Sequence, residues 1–477
     1  MTATLPKLEA HREPSGLIRG LGLWPATAIV IGDTIGTGIF LVSSDMARAT
    51  GSAFLVLAAW FAGGLICLFG AFCFAELGAA FPEAGGPYVY LNRGLGRFWG
   101  FLFGWMSSFL QMPVGMATLA AGFLRFMGFL FPIVATPLFT GHVGSYSFVF
   151  TAAQPLAALV IVVAVGVNYL SVRMGGAIQV LLTSLKIGTI LLIIIAGVLF
   201  GKGYATDPGP AVTLGMGTLR AFLTALVPAM WAYYGFNELG YLGGEIVSPQ
   251  KNIPRAILLG LLTVVGLYIV ANIFYFHTLS FSQVERSQHV ASDVVQTFAG
   301  ARGASALTLA MAISAFGALH VMILAGARIP YAMAKDGVFF EFAKQLQPRF
   351  CSPSGALCFV GSIAVLLALT GTYEELYSLF VFAVWIFFAL TAISLFYLRK
   401  KAPDLVRPYR AWGYPWSALV FLLAALALTI NLWTVRPVRS SLGLAVMLAG
   451  VPFFYRWRKA PRAPWRTQKG CRWSQRG

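Results

Sequence analysis

Apolar runs of membrane-crossing length recur from one end of this 477-residue chain to the other, with little polar sequence between them. An α-helix needs about 20 apolar residues to cross the hydrocarbon of a bilayer. On that measure the sequence predicts twelve spans, near 22–46, 53–79, 97–128, 152–170, 177–200, 219–244, 254–278, 303–326, 354–371, 375–398, 413–434 and 440–456. Composition supports no other reading. Charged residues make up 10% of the chain, where a water-soluble domain carries about 25%, and no polar block is long enough to form a separate soluble domain. The expected fold is an all-α polytopic membrane protein.

The net charge of +18 would suggest nucleic acid in a soluble protein. Here the Lys and Arg residues lie between the apolar runs rather than on one face, so no nucleic-acid partner is expected. They alternate instead: the segment before the first span, every second connection after it and the C-terminal tail together hold 25 of the 34 Lys and Arg. The bias of Lys and Arg towards cytoplasmic loops then predicts both termini inside an inner (plasma) membrane. The polar stretch 1–20 has no signal-peptide pattern and is expected to stay in the cytoplasm. The basic tail 457–477, with Trp465 and Trp473, is expected to lie against anionic lipid.

Enzyme chemistry is not indicated. Cys67, Cys73, Cys351, Cys358 and Cys471 show no metal or redox spacing. There is no metal-binding His/Glu pattern, no nucleophile motif and no carboxylate pair within one span. No metal, cofactor or catalytic residue is expected.

Two spans are not built like anchors. Residues 31–40 read IGDTIGTGIF, and Gly36-Thr37-Gly38 falls in the middle of the first span. Glycine is a weak helix former, and a membrane helix breaks only where neighbours or a cavity satisfy the freed backbone. A half-helix starting there would point its positive dipole end and free N–H groups into the gap, an arrangement suited to a carboxylate. Span 6 reads LVPAMWAYYGFNELGYLGGE and carries Pro228, Gly235, Gly240, Gly243 and Gly244. Spans 1 and 6 open two five-helix halves, and paired breaks at matching positions point to a midplane binding site. The alternative is that the glycines serve only close helix packing.

Ionisable groups within spans are costly and mark function by default. Lys186 lies deep in span 5, and Asp33, just before the first break, is its natural electrostatic partner. The pair supplies a fixed positive charge, a titrating lysine, or a static structural bond. Glu238, just past the second break, is expected near the inner vestibule. His320 in span 8 is expected to pack unless it belongs to a proton pathway. Arg125 is expected to reach headgroups, and Glu76 and Glu245 to pair with loop cations.

These residues carry a family resemblance. GDTIGTGIF is similar to the signature that opens the amino acid–polyamine–organocation superfamily of permeases. FAELGAAFPEAGGPYVYLNRGLG, VNYLSVRMGGAIQVLLTSLK, WAYYGFNELGYLGGEIVSPQKNIPRAI and SAFGALHVMILAGARIPYAMAKDG follow in order and resemble its L-type amino acid transporter branch. The resemblance implies a LeuT-type 5+5 inverted repeat with broken helices 1 and 6. The two repeats would cover 21–200 and 201–400, and two added helices 401–456. It implies sodium-independent transport of neutral amino acids, by exchange or with protons. By position, Ile35, Gly36, Thr37 and Gly38 would hold the substrate carboxylate. Trp231, Ala232, Tyr234 and Gly235 would hold its amino group and gate the site, and Lys186 would stand where sodium binds in other members. Tyr234 replaces a small residue of members that take bulky substrates, which favours small or medium substrates here. His320 stands where a polar amide is expected. Residues 129–151 contain no cysteine. A disulfide-linked accessory chain, found on animal members, is therefore not expected, and the protein would be a monomer or homodimer. A cationic amino acid or polyamine permease is the alternative, since Glu238 or Asp33 would then face the substrate side chain. A non-transporting amino acid sensor is a further alternative, with no long output segment to support it.

Overall fold

The computed structural model describes residues 19–83, 85–143, 146–170, 175–200, 215–347 and 352–457. Nearly all of the 1–20 segment, the basic tail, Cys351 and Cys471 lie outside the described residues. The first span is two helices, α1 (Leu23–Thr34) and α2 (Gly38–Thr50), separated by Ile35–Thr37. After α3 (Ala53–Ala80) and the short α4 (Pro87–Gly94), α5 (Arg97–Met106) and α6 (Met112–Leu130) form one long rod through a single π turn, Ser107–Gln111. Pro113 has no N–H for the carbonyl one turn back and its ring would clash there; a π turn absorbs that conflict without a break.

Next come α7 (Ala153–Leu170) and α8 (Gly175–Phe200). The sixth span is α9 (Met216–Ala232) followed, beyond a non-helical stretch, by a 3-10 helix at Glu238–Glu245. The remaining helices are α10 (Pro249–Thr278), α11 (Phe281–Arg286), α12 (Val290–Gly326), α13 (Arg328–Lys335), α14 (Ser354–Thr370), α15 (Tyr373–Lys401), α16 (Trp416–Val435), α17 (Pro437–Leu448) and α18 (Gly450–Trp457). Among the described residues, eight helical segments are long and apolar enough to cross a membrane, and four shorter apolar helices accompany them. The molecule is a multi-pass helical membrane protein.

Two features depart from the sequence expectation. The fold is not purely α: β1 (Pro137–Val143) and β2 (Tyr146–Thr151) form an antiparallel hairpin between α6 and α7. Phe139, Thr140, Val143, Tyr146, Val149 and Phe150 are good strand formers, but the run is too short and too broken to stand out among longer apolar stretches. Helix α12 also starts well before the predicted span, and bends at Gly300. Its first turns cap the bundle at the end that carries the hairpin.

At the opposite end, Glu76 is fully buried on α3 and gathers two arginines. Arg399 Nε donates to it at 3.0 Å and Arg407 Nε lies 3.3 Å away. The Ala411 amide donates to it at 2.6 Å, and the Arg399 guanidinium stacks on the Tyr414 ring. Glu245 pairs with Arg328 at 3.0 Å. Removing one member of a buried ion pair costs about 3–5 kcal/mol, whereas an exposed pair contributes about 0–1 kcal/mol. Glu76→Gln is therefore expected to lower the thermal midpoint of the detergent-solubilised protein clearly. Glu83→Gln, which removes the exposed Arg93 partner, should leave it nearly unchanged.

Candidate functional site

The α1–α2 break is a sharp local event. Helix α1 closes with the Ile35 amide on the Ile31 carbonyl, and the Gly36 amide turns back onto Thr34 O at 2.8 Å. Helix α2 then starts with no side-chain cap. The first amides of a helix have no partner inside it, so Thr37, Gly38 and Ile39 present free N–H groups where the dipole is positive. A helix start of this kind takes an anion without further help.

The second break lies directly against the first. Helix α9 ends at Ala232, and the chain passes through Tyr233, Tyr234 and Gly235 before the 3-10 helix. Gly235 has φ +125°, a left-handed conformation, and a Cβ there would sit 2.6 Å from Thr34 Oγ1. A Cβ on Gly38 would meet Ala232 Cβ at 2.5 Å. Thus α2 can rest on α9 only because these positions lack side chains. Tyr268, buried on α10, ties the two breaks together. Its hydroxyl lies 2.8 Å from Thr34 O and 3.3 Å from Ala232 O, donating to the carbonyls that each helix leaves free.

Between the breaks is a small cavity lined by Asp33, Thr34, Gly36, Thr37, Gly38, Leu119, Trp231, Ala232, Tyr234 and Met322. Tyr373, at the start of α15, covers it on the hairpin side. The Tyr373 hydroxyl shares a 2.9 Å hydrogen bond with Thr37 Oγ1 and accepts one of 3.1 Å from Trp231 Nε1. The Trp231 ring is edge-on to Phe380 at 4.9 Å. Beyond Tyr373 lies a charged cluster. Arg48 bonds Asp45 and reaches Glu374 at 3.4 Å, Tyr377 OH donates to Asp45, and Arg125 lies 4.0 Å from Glu374. Arg125 is thus turned inward over Tyr373 rather than outward to headgroups.

On the other side of the cavity the Tyr234 hydroxyl donates to Glu238 Oε1 and accepts from Gln111 and Asn237. Gln111 closes the π turn and also donates to Tyr241. Glu238 sits behind Tyr234, outside the cavity lining. Ile35 is fully buried and supplies the turn without lining the cavity, and Gly235 faces Thr34. Lys186 Nζ donates to Gly32 O at 2.7 Å. It is an electrostatic neighbour of Asp33, but no ion pair joins the two side chains among the described residues. His320 is removed from the site, with Nδ1 2.9 Å from Asn168 Nδ2 on α7. Tyr268, Tyr373 and Gln111 were not singled out from sequence. Each is one more aromatic or amide in an apolar run; the one available signal of irregular backbone is Pro113, two residues beyond Gln111.

Comparison with known proteins decides the family. The family model described as Amino acid permease matches residues 21–453. The chain belongs to the amino acid permease family. The permease is 29% identical to the serine/threonine exchanger SteT of Bacillus subtilis (strain 168) over 452 residues, covering 94% of this chain and 99% of that protein. It is 30% identical over 468 residues to the large neutral amino acids transporter small subunit 2 of Mus musculus, 96% of this chain and 86% of the relative. With the b(0,+)-type amino acid transporter 1 of Oryctolagus cuniculus it shares 31% over 415 residues, 85% of this chain and 80% of the relative. The permease is therefore a membrane transporter and not an enzyme.

Two substitutions test the geometry of the site. Gly38→Val should abolish transport while leaving membrane expression measurable, because the added atoms collide with the Ala232 backbone. Tyr373→Phe leaves the buried Trp231 N–H without its acceptor, a loss of about 1–3 kcal/mol. Its half-saturation concentration for substrate should rise by about tenfold, read by initial-rate uptake, whereas Tyr377→Phe should change it less.

Proposed function

We propose that the permease is a sodium-independent secondary transporter of small or medium neutral L-amino acids, working by exchange or by proton coupling. The observation that carries this reading is the facing pair of helix breaks. Free amides at the start of α2 look across one cavity at Trp231 and Tyr234. In this reading Ile35, Gly36, Thr37 and Gly38 hold the substrate carboxylate, and the carbonyls of Trp231 and Ala232, with Tyr234 and Gly235 beside them, receive the amino group. The relatives' names agree on amino acids and differ on size. The Tyr234 phenol in the cavity wall is the reason for placing this chain at the smaller end.

The wider arrangement follows the same reading. Twelve spans form a LeuT-type 5+5 repeat over 21–200 and 201–400, with two further helices to residue 456. Both termini are cytoplasmic, and the hairpin end faces outside the plasma membrane. Lys186, bonded to the α1 carbonyl of Gly32, serves as the fixed positive charge where sodium binds in other members. Alternating access comes from rocking of α1–α2, α3, α9 with its 3-10 extension, and α10 against the remaining helices. The clusters around Glu374 and Glu76 lie at the two ends of that seam. The protein acts without a disulfide-linked accessory chain, as a monomer or homodimer.

Uptake of radiolabelled L-alanine into proteoliposomes holding the purified full chain tests this. Lumens are empty or loaded with alanine, serine or leucine, each with and without a sodium gradient and an inward proton gradient. Flux that needs a loaded lumen identifies exchange, and flux into empty vesicles driven by protons identifies symport. Dependence on sodium, or uptake of labelled arginine or putrescine with no alanine flux, overturns the neutral, sodium-independent reading.

A further inference from the structure

The cavity contains one charged group that the proposed roles leave unused. Asp33 is 9% exposed and lines the cavity beside Gly36 and Thr37. Neither of its carboxylate oxygens accepts a hydrogen bond among the described residues, and Oδ2 is fully enclosed. The acceptors around it are already engaged. Thr34 O takes both the Gly36 amide and the Tyr268 hydroxyl, at 2.8 Å each. Gly32 O takes Lys186 Nζ. Trp231 O takes the Tyr234 amide, and Ala232 O takes the second contact of Tyr268. Each carbonyl has two lone pairs, so Thr34 O is saturated and the two α9 carbonyls each keep one site of modest strength.

A carboxylate enclosed without hydrogen bonds or a contacting cation is among the costliest groups a membrane protein can hold. Lys186 is an electrostatic neighbour, but the hydrogen bond it makes among the described residues goes to the Gly32 carbonyl, and no ion pair joins it to Asp33 there. Glu238, the other acid in this region, already receives the Tyr234 hydroxyl and is not in the cavity lining. What Asp33 lacks is a compact donor bearing positive charge and arriving from the cavity side. A zwitterionic amino acid placed with its carboxylate on the α2 amides carries such a group on its α-carbon, a charge-assisted donor with three N–H bonds.

We infer that Asp33 is the counter-ion of the substrate α-ammonium, so that the site requires a cationic amino group and reads both ends of the zwitterion from the α1–α2 break. This rests on the transport reading above and assigns Asp33 a substrate contact in place of a pairing role with Lys186. Uncharged or absent amino groups would then be rejected at Asp33 itself: L-lactate and N-acetyl-L-alanine offer a carboxylate for α2 but no cation.

The test is counterflow of radiolabelled L-alanine in proteoliposomes with the full chain, comparing wild type, Asp33→Asn and Asp33→Glu, with L-lactate as competitor. In D33N the KM for L-alanine is expected to rise at least about tenfold with maximal rate nearly unchanged, while the weak inhibition by L-lactate stays as in wild type. D33E, which keeps the charge, should fall between. An unchanged alanine KM in D33N overturns the inference, and so does an equal weakening of alanine and lactate, which marks a structural role. Should D33N fail to fold, D33E decides on the same two readouts: selective loss of alanine upholds the inference, parallel loss overturns it. Wild type that exchanges none of alanine, serine or leucine sinks the transport reading and this inference together. Wild-type flux with an unaltered variant sinks the inference alone.

Discussion

A helix that unwinds in hydrocarbon leaves amides and carbonyls with no water to satisfy them, at several kcal/mol for each orphan group. Everything at the centre of this permease follows from how the two broken helices meet that constraint. Several of the freed carbonyls are met internally. Tyr268 reaches across from α10 and bonds the last free carbonyl of α1 and that of α9 with one hydroxyl. The amides at the start of α2 are not settled, and they open on the cavity. Free donors at the start of α2, beside the Thr34 carbonyl already engaged by Tyr268, give that end of the cavity a preferred sign of charge: it suits an anion at α2.

That solution requires two half-helices within backbone contact of each other. Gly38 and Gly235 allow it, one because a side chain would collide with Ala232 and the other because its backbone adopts φ +125° against Thr34. The same closeness couples the breaks mechanically, since α2 cannot shift without displacing the end of α9. Tyr373 joins this unit to α15 through Thr37 and Trp231. The cavity roof therefore adjoins the Arg48, Asp45 and Glu374 cluster above it, through Glu374 next in the chain and Arg125 over the Tyr373 ring. Movement of the roof and occupancy of the cavity share residues, which is the structural requirement for coupling a binding event to a gate.

Much of this was legible from sequence for a physical reason. Glycine clusters and Pro228 inside membrane-length runs contradict the helix they sit in, so the breaks announced themselves. The cationic connections alternate, so an orientation could be inferred. The charged residues Lys186, Asp33 and Glu238 are conspicuous in an apolar chain. Their partners were not, because burial does not say which neighbour a side chain meets. Lys186 and Asp33 are electrostatic neighbours, and the hydrogen bond of the ammonium to the Gly32 carbonyl could not be read from the sequence. Arg125 looked like a headgroup anchor and instead faces Tyr373. Tyr268, Tyr373 and Gln111 act through one polar atom each, and aromatic side chains are too common in this chain for any of them to stand out. The hairpin escaped because hydropathy favours the longer helices on either side.

The side of the cavity away from Tyr373 shows how one irregularity places several residues. Pro113 denies α6 a helical hydrogen bond, and the chain responds with the π turn that ends at Gln111. Widening the helix by one residue brings the Gln111 amide to the Tyr234 and Tyr241 hydroxyls. Tyr234 is then held from both directions, accepting from Gln111 and donating to Glu238, with its ring edge-on to Phe380. A phenol fixed in this way cannot swing aside for a larger substrate without breaking the bond to a buried carboxyl. In the proposed reading, a limit on substrate size would thus trace to a backbone distortion of a different helix, set by a proline that is not part of the cavity lining.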